Sequence, residues 1–148
     1  MIKPAVGLAV CYLTLLAAPP ASRFSKYRAV ESYEITPGIL LTPVYAKNGE
    51  PCEISIEKRH RSGVTVEATP MIAKEQILSL FDELVPQGER GNGSPGLPSG
   101  AEMTEVDGPV RTTQILYENV TLTMYGTKES QNYAVAIITW NKRTCAAK

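Results

Sequence analysis

Tyr45-Ala46-Lys47-Asn48-Gly49-Glu50-Pro51-Cys52-Glu53-Ile54-Ser55-Ile56-Glu57 is the most informative stretch of the chain. Cys52, Ile54 and Ile56 alternate with Glu53, Ser55 and Glu57, the period of a strand with one buried and one wet face. Asn48-Gly49 precedes it. Both residues tolerate a positive φ, so the pair predicts a hairpin through a type I′ turn. The incoming strand is Ile39 to Tyr45, where Pro43 lacks an amide hydrogen and argues for an edge position or a bulge. Before it, Pro37-Gly38 turns the chain, and Tyr27 to Ile35 alternates as a further half-buried strand.

Toward the amino end, Met1-Ile2-Lys3 is followed by an apolar run from Ala5 to Ala18 and by Pro19-Pro20-Ala21-Ser22. A short basic region, an apolar core too short to span a bilayer and small residues at its end predict a signal peptide over residues 1–22. The expected location is therefore exported, periplasmic or extracellular. Residues 23–148, about 126 in number, suit a single domain, and no later apolar run is long enough to cross a membrane. Fifteen basic and fifteen acidic residues give no excess charge, which argues against a nucleic-acid partner. Cys11 leaves with the leader. Cys52 and Cys145 then remain as a pair, and in an oxidising compartment they are expected to join, closing a loop of about 94 residues.

Downstream of the hairpin, Lys58-Arg59-His60-Arg61 breaks the alternation, and Val64-Thr65-Val66 is a short branched run. Thr69-Pro70 reads as a helix entry with Thr69 as N-cap. Ile77, Leu80, Phe81 and Leu84 then recur at helical spacing, giving a helix over roughly Met71 to Val85 that Pro86 ends. Residues 87–108, rich in glycine with Pro95 and Pro98, read as a mobile surface loop. Thr113 to Tyr125 alternates, with Leu116, Val120, Leu122 and Met124 on the apolar parity. Tyr133 to Trp140 is apolar on both parities, as in a central strand. Strands, one helix, then strands give an α+β fold, an antiparallel sheet of about four to five strands with one helix packed across it.

Familiar catalytic arrangements are hard to assemble from these residues. His60 is the sole histidine and lies in a charged run without a nucleophile motif. Lys58, Arg59, His60 and Arg61 form at most a small anion-binding patch. Gly91-Asn92-Gly93-Ser94-Pro95-Gly96 fits a nucleotide fingerprint only literally, because it follows a helix end instead of joining a strand to a helix. Glu53 and Glu57 lie on the wet parity, where nothing raises a carboxyl pKa for acid catalysis. Glu102, Glu105 and Asp107 lack the alternation of a calcium loop, and one histidine with two distant cysteines makes no metal-ligand spacing. No catalytic residue, metal or cofactor is expected.

Pro37-Gly38, Tyr45 through Asn48-Gly49 to Cys52, Glu57-Lys58-Arg59, Glu83-Leu84-Val85-Pro86, Arg90-Gly91, Tyr117-Glu118-Asn119-Val120 and Trp140-Asn141-Lys142-Arg143-Thr144-Cys145 together resemble a group of small exported bacterial proteins of unknown function. That resemblance implies a bacterial origin, export, and Cys52 and Cys145 as partners. The order strand, Asn-Gly turn, strand, helix, strand is also similar to the carboxy-terminal domain of TonB-like periplasmic proteins. The expected function is a non-catalytic exported module that contacts a protein or envelope component through its sheet edge or its Gly-rich loop. Alternatives are a small hydrolase or hydrolase inhibitor using Glu57, Arg59 and His60, and a structural subunit that assembles by strand pairing.

Overall fold

The computed structural model describes residues 33–59 and 70–146. The leader at 1–22, residues 27–32 of the first expected strand, His60, Arg61, residues 64–66 and Thr69 lie outside them. Among the described residues seven strands form one antiparallel sheet: β1 (Tyr33–Thr36), β2 (Ile39–Tyr45), β3 (Pro51–Lys58), β4 (Ala101–Asp107), β5 (Val110–Leu116), β6 (Val120–Thr127) and β7 (Val135–Trp140). Their spatial order is β1-β2-β3-β7-β6-β5-β4. A three-strand meander thus meets a four-strand meander at β3 and β7. Between them in sequence, helix α1 (Lys74–Leu84) and the short α2 (Gln87–Arg90) carry the chain to the far edge of the sheet.

The fold class is α+β as expected, but the sheet has seven strands instead of four to five. One reason lies in 87–108, read above as a loop, which contains α2 and the whole of β4. Residues Glu102 to Asp107 of β4 are all exposed, so no buried parity marks this strand in the sequence. A second reason is that Thr113 to Tyr125 is not one strand. It is the end of β5, a turn at Tyr117 to Asn119, and the start of β6.

The hairpin β2–β3 forms where Asn48-Gly49 places it, with a different turn. Gly49 has φ +81°, and among the described residues no non-glycine residue has a positive φ. Gly49 N–H bonds Ala46 O at 2.9 Å and Ala46 N–H bonds Glu50 O at 2.8 Å. This is a three-residue connection ending in a left-handed glycine, not a type I′ pair. Asn48 Oδ1 accepts from Glu50 N–H, a bond that fixes Asn48 without left-handed backbone. Pro43 pairs in register with Ile54 of β3, the described residues of β1 pair with Ile39 to Leu41, and β2 has a bulge between Val44 and Tyr45.

Cys52, Ile54 and Ile56 are buried, and so are Ala136, Ile138 and Trp140 of β7. Ile77, Leu80, Phe81 and Leu84 of α1 join them in one core. On the opposite parity of β7, Val135, Ile137 and Thr139 are half-buried. The helix starts later than expected because Ile72 is still extended: it exchanges backbone bonds of 2.7 and 2.9 Å with Tyr133. Ala73, not Thr69, therefore occupies the N-cap position, without a side-chain bond. Among the described residues no helix is long and apolar enough to cross a membrane.

Cys52 and Cys145 form a disulfide, with Cα atoms 5.4 Å apart. It ties β3 to the tail after β7, where Ala46 bridges Cys145 and Ala146 N–H bonds Tyr45 O.

Candidate functional site

β4 is an outer strand of the sheet, paired over seven consecutive positions with β5 and with no break in register. Gly108-Pro109 joins the two strands, and Gly108 has φ +57°. A two-residue connection makes Asp107 and Val110 a hydrogen-bonded pair. Alternation then turns the peptide groups of Glu102, Thr104 and Val106 away from β5. Among the described residues no strand pairs with that side.

The side chains of β4 divide by face. Thr104 is opposite Thr113 and Glu102 opposite Ile115, so this parity looks toward α1, where Lys74 Nζ meets Glu102 Oε1 at 2.7 Å. Thr104 Oγ1 and Thr113 Oγ1 are 3.1 Å apart, and Tyr133 Oη donates to Thr113 Oγ1 at 2.9 Å. That hydroxyl chain explains why Thr113 is buried although its sequence parity looked wet. The other face carries Met103, Glu105 and Asp107. Met103 is 52% exposed and Val106 50% exposed. An aligned row of outward-turned peptide groups, unpaired among the described residues, with exposed apolar and acidic side chains is a template for a further strand.

The remaining outer side of the sheet differs. Among the described residues β1 spans Tyr33–Thr36, with a register shift between Glu34 and Thr36. An irregular register disfavours strand addition.

The Gly-rich segment before β4 is held in place. Glu118 N–H bonds Asn92 O, Asn119 N–H bonds Arg90 O, and Asn92 N–H donates to Glu118 Oε2 at 3.0 Å. Asn119 Nδ2 donates to Glu89 O. Gly91 is required here, since its φ is +74° and a Cβ would lie 2.6 Å from Asn119 Nδ2. The Asn92 amide, and then the Lys142 ammonium at 2.9 Å, hold the Glu118 carboxyl below its ordinary value of 4.5. A lowered carboxyl contributes stability above its unfolded pKa and loses it as pH falls through the folded one. Carbon-13 NMR titration is expected to place the Glu118 midpoint below 4.5, and Lys142→Gln to raise it.

Of the basic run, Lys58 Nζ donates to Met71 O and Arg59 Nη1 lies 3.6 Å from Glu34 Oε2. Both cations therefore have partners within the chain. His60 and Arg61 fall outside the described residues. A second basic group, which sequence reading missed, surrounds the disulfide. Lys47, Asn48, Lys142, Arg143, Thr144 and Cys145, with Ala46, line an open hollow of about 460 Å³. Arg143 Nη1 donates to Pro51 O at 2.7 Å, and its guanidinium lies 5.2 Å from the Trp140 ring. The signal in the sequence was Lys142-Arg143 close to Cys145, uninformative until the hairpin brought Lys47 alongside. Among the described residues no group of three His, Cys, Asp or Glu side chains is placed to hold a metal.

Comparison with protein-family models, curated proteins and solved structures finds no match to this chain.

Proposed function

We propose that the chain is an exported, non-catalytic binding module that adds an extended segment of a partner protein to the free edge of β4. The observation that carries this reading is the outward row of peptide groups at Glu102, Thr104 and Val106, flanked by exposed Met103 and Val106. Main-chain bonds supply affinity in strand addition, and alternate side chains supply specificity. Glu105 and Asp107 share a face with Met103, which favours a segment with lysine or arginine at two alternate positions and an apolar residue nearby. The same carboxylates disfavour pairing of β4 with a second β4, since like charges would face each other. The disulfide fits an oxidising, exported setting.

The test uses fluorescent octapeptides of alternating Lys and Val, with Glu-Val peptides as controls. Binding of the Lys-Val peptide is expected to weaken with salt and to shift the amide resonances of Ala101–Asp107. Val106→Pro removes one outward N–H and no β4–β5 bond, so it should abolish binding while thermal stability stays near wild type. Glu105→Lys with Asp107→Lys should reverse the preference between the peptides. Equal binding of both peptides, shifts away from β4, or self-association at micromolar concentration in sedimentation would reject the reading.

A further inference from the structure

The disulfide is asymmetrically placed. Cys52 is 1% exposed within β3, whereas Cys145 is exposed and forms part of the wall of the 460 Å³ hollow. Three cations, Lys47, Lys142 and Arg143, line that hollow, and among the described residues no carboxylate does. Glu118 pairs with Lys142 and Glu50 lies 3.5 Å from Arg143, but neither lines the hollow. A reagent arriving from solvent thus meets one sulfur, through a gap rimmed with positive charge.

We infer that Cys145 is a modification site for small anionic thiols, which open the Cys52–Cys145 bond by attack from the basic hollow. In the exchange, a thiolate from solvent forms a bond to Cys145 Sγ, the Cys145–Cys52 bond breaks, and the electron pair leaves on Cys52 Sγ, which takes a proton from water. One disulfide is exchanged for another, so no oxidant is needed. Positive charge raises the local concentration of an anionic attacker and favours its approach. Opening leaves the tail held to β2 by the Ala46–Cys145 bridge and the bond from Ala146 N–H to Tyr45 O. The inference is independent of the β4 edge.

The experiment treats the folded, oxidised chain with glutathione, 2-mercaptoethanol or cysteamine, corrects each rate for thiolate fraction, and locates the adduct by peptide mass spectrometry. Glutathione is expected to react on the order of tenfold faster than cysteamine, with the adduct on Cys145. Lys47→Gln, which removes a cation with no ion pair among the described residues, and added salt should both narrow that gap. Equal rates for the three thiols, an adduct on Cys52, or reaction at the rate of global unfolding would overturn it. If Lys47→Gln is poorly folded, the salt dependence of the native chain decides.

Discussion

Joint replacement of Cys52 and Cys145 by alanine is expected to lower the free energy of unfolding by about 4 to 5 kcal/mol. The bond closes a sequence separation of 93 residues, and a loop near that length restricts the unfolded chain by this amount in the chain-entropy model. That is a large share of the stability of a small domain. Urea denaturation of the oxidised chain and of the double variant provides the comparison. The variant should also show a larger denaturant slope, because its unfolded chain is no longer crosslinked. A loss below about 1 kcal/mol would mean that residual structure in the unfolded variant already restricts the chain nearly as much as the crosslink does.

Arg90→Ala is expected to cost about 2 to 5 kcal/mol. Arg90 is 2% exposed, and its Nε and Nη2 both donate to Val85 O, at 2.9 and 2.8 Å. Nη2 also reaches Asp82 Oδ1 at 2.7 Å, and the guanidinium lies 4.4 Å from the Phe81 ring and 5.3 Å from the Tyr117 ring. Its removal leaves the end of α1 without a donor and opens a gap between two aromatic rings. Asp82→Ala should cost much less, because that side chain is 65% exposed and Arg90 keeps its bonds to Val85. The two variants compared by urea denaturation separate the roles. Equal losses would place the effect in the ion pair instead of the carbonyl clamp.

Strands with one buried face were legible from the alternation of their residues. β3 and its hairpin, the amphipathic face of α1 and the central place of β7 all follow from residues whose burial matches their period. β4 escaped because neither of its faces is buried, and only pairing with β5 makes it a strand. Thr113 misled for a related reason: a hydroxyl satisfied by Tyr133 and Thr104 can be buried like an apolar side chain. The disulfide followed from the cysteine count, while its basic surroundings depended on contacts between residues nearly a hundred positions apart. Arg90 was equally hidden, since an arginine after a proline gives no sequence sign that a carbonyl and two rings await it.

The position of β7 between β3 and β6 also sets a timetable. Glu53 pairs with Thr139 and Ile54 with Ile138, so the last strand of the chain closes the sheet against one of the first. Until that strand has been synthesised, two half-sheets exist, and their shared core has no keystone. Contacts of such sequence separation slow folding, because the long loop must be closed before they form. Under the export proposed above, the delay would prolong the interval in which the chain can still be threaded through a membrane unfolded.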